Sequence, residues 1–109
     1  MIKIINVKVF LERTVIMNIT NIRIRKLMDE GRLRAIVSVT LDNMLAIHDI
    51  KVVQGDDRLF VAMPSRRDEL GVFRDIVHPI SSEGRQFIEA AVIETYEEEM
   101  KSTAEDSGF

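Results

Sequence analysis

The stretch from Leu59 to Ile80 places the tightest limit on how this chain can fold. Leu59-Phe-Val-Ala-Met63 is a short, continuous apolar run, which suits a strand buried on both faces. Pro64 follows at once. It offers no amide hydrogen to a ladder and biases Met63 toward extended backbone, so the chain must leave the sheet near Ser65. The polar segment Ser65 to Gly71 carries Arg66 and Arg67, and a second extended run, Val72 to Val77, carries Arg74 and closes on His78-Pro79. The expectation is two buried strands framing a short arginine loop.

The strands ahead of this stretch announce themselves by period two. Ile22 and Ile24 point one way, Arg23 and Arg25 the other. After the turn signal Asp29-Glu30-Gly31, Leu33, Ala35, Val37, Val39 and Leu41 share a face, with Arg32, Arg34, Ser38 and Thr40 opposite. This reads as a hairpin that gathers Arg23, Arg25, Arg32 and Arg34 on one solvent face. Like charges across strands are unfavourable, so such a face needs carboxylate neighbours such as Asp29 and Glu30, or an anionic partner. Asp42-Asn43 makes the next turn, Leu45 to Val53 is a third strand, and Gln54-Gly55-Asp56-Asp57 turns into Leu59 to Met63. Strands about ten residues apart, separated by turn residues, describe an antiparallel meander.

After Pro79 the period changes. Ser81 or Ser82 can cap a helix, Glu83 suits its positive N-terminal end, and Phe87, Ile88, Ala91, Val92 and Tyr96 form an apolar stripe. Arg85, Glu89, Glu94, Glu97 and Glu98 are expected to face water. Residues 101–109 lack apolar spacing and are expected to form a flexible acidic tail. The fold class is therefore α+β: an antiparallel sheet of four to five strands followed by a C-terminal helix. A chain of 109 residues makes a small core and leaves sheet edges open, so a sheet-paired homodimer is expected.

Several words of the sequence, taken in order, resemble the SpoVG family, stage V sporulation protein G. They are Gly31-Arg-Leu-Arg-Ala-Ile-Val-Ser-Val-Thr-Leu-Asp42, Ile47-His-Asp-Ile50, Leu59-Phe-Val-Ala-Met-Pro-Ser-Arg-Arg67 and Phe73-Arg-Asp-Ile-Val-His-Pro-Ile80. The resemblance runs from Met17 to about Tyr96. It departs at Asp68-Glu-Leu-Gly-Val72, where the family pattern has a Thr-Pro-Asp-Gly-like turn, and at residues 1–16, which precede the usual start. The domain division that follows is an N-terminal extension over 1–16, a single SpoVG-like domain over 17–100 and the tail. Residues 1–16 are either an extra strand or the product of a translation start upstream of Met17, the second being expected. What the resemblance implies is a bacterial cytoplasmic regulator that binds DNA, and RNA as a further partner, and that influences sporulation and formation of the division septum.

Charge agrees with such partners only when read by region. The net charge is −3, but residues 1–80 hold 13 Lys and Arg against 10 Asp and Glu, and residues 81–109 hold 2 against 8. The acidity belongs to the C-terminal part, and a local basic face is what nucleic acid requires. No cysteine is present, which excludes disulfides and thiolate chemistry and fits a reducing cytoplasm. Lys3, Asn6, Lys8 and Glu12 interrupt the apolar N-terminal residues, so neither a uniform signal-peptide core nor a membrane partner is expected.

Candidate chemistry is concentrated in arginine. A guanidinium presents a rigid donor fork that matches phosphate oxygens, or the O6 and N7 edge of guanine. Arg66, Arg67 and Arg74 are the primary candidates for nucleic-acid binding, and Arg23, Arg25, Arg32 and Arg34 the secondary ones. Ion pairing with Asp68, Glu69 and Asp75 is the structural alternative for the first group. Stacking platforms are not expected, because Phe60, Phe73 and Phe87 are assigned to the core. His48 beside Asp49 and His78 after Asp75 are only pairs, expected to be structural. With no phosphate-binding glycine loop and no nucleophile elbow, neither enzyme activity nor a cofactor, metal or small-molecule substrate is expected. The competing class is a protein-interaction module of the septation machinery, docking through the acidic helix or the exposed sheet.

Overall fold

The computed structural model describes residues 17–107; the N-terminal extension over 1–16 and residues 108–109 lie outside the described residues. Four strands, β1 (Ile19–Leu27), β2 (Leu33–Leu41), β3 (Leu45–Gln54) and β4 (Leu59–Ala62), form an antiparallel sheet in the order β1-β2-β3-β4. Two three-residue strands, β5 (Ser65–Arg67) and β6 (Phe73–Asp75), make a separate hairpin, and one helix, α1 (Ser82–Ser107), ends the fold. The α+β meander read from the sequence is thus observed. The β2–β3 connection is a tight turn: Asp42 and Asn43 both have left-handed backbone (φ 52° and 54°), and the Met44 amide donates to the Leu41 carbonyl at 2.9 Å.

One face of the sheet carries the core. Ala35, Val37, Val39, Ile50, Val52 and Val61 are buried there against Ile88, Val92 and Tyr96 of α1. The spacing of those three helix residues, four apart, is a single stripe, and partly buried Met100 continues it. Ser81 caps the helix: its hydroxyl accepts the Gly84 amide at 3.0 Å, while its carbonyl accepts that of Arg85. Phe87, expected in the stripe, lies at its rim, 42% exposed. The helix also continues through Ser107, over residues expected to be a flexible tail. Glu97, Glu98, Glu99 and Lys101 are strong helix formers, so propensity carries it past the last core contact.

Burial of Leu59 to Met63 on two faces is corrected by the topology. Among the described residues one helix covers one face, and β4 is an edge strand in which Val61 is buried, as is Met63 just beyond it, while Phe60 and Ala62 are half-buried. Val72 to Val77 is likewise not a buried strand. Only Phe73–Asp75 is paired, to β5 alone, and Phe73 and Ile76 are 67% and 63% exposed.

Arg85 and Glu89 do not simply face water. Glu89 Oε2 accepts the Val61 amide at 3.1 Å, and the Arg85 guanidinium donates to the Val61 carbonyl at 3.5 Å. The two side chains, one helical turn apart, take the place a fifth strand would have held at the free edge of β4. Glu89 is only 14% exposed and also receives Arg58 at 3.1 Å. Its removal strands a backbone donor and takes a carboxylate partner from two guanidinium groups. Glu89→Ala is expected to cost about 1–3 kcal/mol, read as a lower urea midpoint with unchanged slope. Glu89→Gln, which keeps an acceptor for Val61, should lose less.

Candidate nucleic-acid interface

Pro64 ends the sheet as expected, and its carbonyl accepts the Ile76 amide at 2.8 Å, which closes the base of the β5–β6 hairpin. At the tip, Asp68 organises the loop. Its backbone amide donates to the Val72 carbonyl at 2.9 Å and its carbonyl accepts the Gly71 amide at 3.0 Å. Gly71 takes left-handed backbone (φ 81°), the geometry of a three-residue hairpin loop closed by a glycine bulge. The Asp68 carboxylate completes the fastening: Oδ1 accepts the amides of Leu70 and Val72 at 2.9 and 3.0 Å, and Oδ2 accepts Arg74 Nε at 2.7 Å.

The three primary arginines meet on this hairpin but in different states. Arg66 stands opposite Arg74 in the register, and Arg67 opposite Phe73, whose ring centroid lies 5.7 Å from the guanidinium. Arg74 is paired to Asp68 and not to its neighbour Asp75. Arg66 and Arg67 are exposed and have no carboxylate partner among the described residues. Their donor forks are therefore free to meet an anion, while Arg74 offers the part of its fork that Asp68 leaves open.

The secondary group is dispersed. Arg32 is bonded to Asp56 at 2.7 Å, and Arg34 turns to the helix side, its Nε donating to the Tyr96 hydroxyl at 3.4 Å and its Nη1 to the Gly31 carbonyl at 3.2 Å. The reason is an irregularity between Leu33 and Ala35, which breaks the alternation that would have kept Arg34 outward. Arg25 falls in a second irregularity, between Ile24 and Lys26. Only Arg23 keeps the outward position expected of all four, opposite Ser38.

The phenylalanines also differ from expectation. Val52 and Val61 pair on the core side, so Val53 and Phe60, the next pair, lie on the opposite face of the sheet. Phe60, Phe73 and Phe87 are all outside the buried core. His48 is structural in its contact: Nδ1 and the buried Ser38 hydroxyl share a hydrogen bond of 2.7 Å, at a bulge where Asp49 has φ 63°. Among the described residues no group of three or more His, Asp or Glu side chains could hold a metal ion. No described helix is long and apolar enough to cross a membrane.

Arg74 and the loop amides hold the Asp68 carboxyl below its ordinary value of 3.8. A depressed carboxyl stabilises the fold above its unfolded pKa, and the contribution is lost as pH falls through the lower, folded value. The amide resonances of Leu70 and Val72 should therefore hold steady from neutral pH to about 4 and shift together only below it. In Asp68→Asn they should show no transition in that window.

A family model described as SpoVG matches residues 17–98. Similar proteins include one from Desulforudis audaxviator, 57% identical over 81 residues that make up 74% of this chain and 92% of that protein. One from Caldicellulosiruptor bescii is 54% identical over 81 residues, 74% of this chain and 92% of its own. One from Clostridioides difficile is 54% identical over 82 residues, 75% of this chain and 89% of its own. Each carries the name "Putative septation protein SpoVG".

Proposed function

The chain belongs to the SpoVG family, and from that premise we propose that it is a bacterial regulator that binds nucleic acid and influences septum formation and sporulation. Support comes from one observation above the rest. The β5–β6 hairpin stands clear of the core and carries Arg66 and Arg67 without carboxylate partners among the described residues. Phosphate contacts from these guanidinium groups supply the affinity, and base-edge contacts supply whatever preference exists. The protein acts in the cytoplasm, without cofactor, metal or catalysis, on DNA and also on RNA.

A homodimer would double the number of hairpins and turn a weak site into a usable one. The edge of β3 favours it: β4 pairs only with Lys51 to Gln54, so Leu45 to Ile50 have no ladder partner on that side among the described residues. Exposed Leu45, Ile76 and Ile80 border the same edge, with Ile80 92% exposed. Light scattering of the purified chain should give about twice 12.5 kDa, and Leu45→Glu with Ile80→Glu should halve it. A monomeric mass for the unsubstituted chain would remove the dimer.

Arg66→Ala with Arg67→Ala should weaken binding to a duplex and flatten the plot of log affinity against log salt by about 0.9 for each phosphate no longer neutralised. Fluorescence anisotropy at several salt concentrations reads both. An unchanged slope would take the hairpin out of the interface. The second reading, a septation module that docks proteins, is favoured by the exposed Glu94, Glu97, Glu98 and Glu99 of α1. Partners retained on the immobilised chain after nuclease treatment would support it, and partners released by nuclease would support the first.

A further inference from the structure

We propose that the face of the four-stranded sheet opposite α1 is a second nucleic-acid surface, seating a phosphodiester backbone between β1 and β3 on Arg23, Lys26 and Lys51; this deepens the nucleic-acid reading and rests on it. The register assigns these residues to one face. Lys26, Ile36, Lys51 and Ala62 are consecutive partners across all four strands, and in the flanking row, Leu27, Ala35, Val52 and Val61, the last three belong to the core. Arg23 is opposite Ser38, two residues further along β2 from Ile36. Arg23 and Lys26 thus stand about 7 Å apart along β1, and Lys51 about 10 Å across from Lys26.

Between the two cationic strands β2 contributes only Ile36, Ser38 and Thr40, with Ser38 buried beneath His48. The result is a low floor walled by positive side chains. None of the three cations has an ion pair among the described residues, whereas Arg32, Arg58, Arg74 and Arg85 all do. The register brings one carboxylate to this face, the exposed Asp49, which shares with His48 the bulge opposite Ser38 and forms no ion pair with the three cations among the described residues. Three unmatched charges on one face cost free energy unless an anion meets them.

The opposite layer argues for the same occupant. The outer side of α1 presents Glu94, Glu97, Glu98 and Glu99, so the domain is negative behind the helix and positive on the sheet. A polyanion is repelled by one layer and drawn to the other, which orients the encounter. A nucleic-acid backbone fits this face because its charge is repetitive and extended, as the two cationic strands are.

The test compares three proteins on a single-stranded oligonucleotide and a duplex across a salt series: the unsubstituted chain, Arg66→Ala with Arg67→Ala, and Arg23→Gln with Lys26→Gln and Lys51→Gln. The sheet variant is expected to lower the salt slope, for each phosphate no longer neutralised, by about 0.7 on the single strand and about 0.9 on the duplex. The hairpin variant should keep a residual, salt-dependent binding. Arg23→Lys with Lys26→Arg and Lys51→Arg preserves charge and should restore the slope, which separates a missing charge from a misfolded chain. Acetylation footprinting of the unsubstituted chain should find Lys26 and Lys51 protected by the oligonucleotide and Lys101, on α1, unprotected. Binding abolished in the hairpin variant but unchanged in the sheet variant, or equal acetylation of all three lysines, would overturn the second surface and leave the hairpin reading standing. No binding by the unsubstituted chain at low salt would overturn both.

Discussion

The free edge of β4 is where this fold is decided. Among the described residues Val61 has no strand beyond it, and both its backbone groups are met by α1 through Glu89 and Arg85. An edge left bare is a template for pairing with another chain. The carboxylate and guanidinium therefore do two things at once: they finish the sheet, and they fix the azimuth at which Ile88, Val92 and Tyr96 reach the core. Pro64 then turns the chain out of the plane, so that Ser65 to Asp75 must pair with themselves.

From that closure follows a division of labour between layers. Apolar side chains fill the interface between sheet and helix, and the charged side chains outside it are divided by layer. Because the described residues cover one face of the sheet, alternate residues of each strand are committed to the core and the rest point to the other face. The hairpin is a third body, attached but not buried, whose conformation depends on Asp68 and on the left-handed Gly71.

Much of this architecture is legible in the sequence because periodicity reports burial directly. The meander turns at Gly31 and Asp42-Asn43, the exit at Pro64 and the cap at Ser81 are each marked by the residue whose backbone chemistry the position requires. Side-chain destinations are less legible. Strict alternation places Arg34 on the solvent face, yet an irregularity between Leu33 and Ala35 turns it to Tyr96. Lys26 and Lys51 carry no signal of their own, because only the cross-strand register puts them in one row. Apolar runs suggest buried strands, but a run cannot say how many of its faces will be covered. Glu89 looks like any exposed helix carboxylate; its role depends on a strand amide 28 residues away.

Among the described residues the hairpin shares a ladder with no other strand, and its loop amides are satisfied from within. Its stability is for that reason nearly separable from that of the domain. Substitutions between Asp68 and Val72 can alter the charge and shape of the tip without disturbing the helix–sheet core. A lineage can exchange one turn for another at that tip and inherit the rest of the domain intact, which makes the hairpin the part of the molecule whose surface can change with the least disturbance.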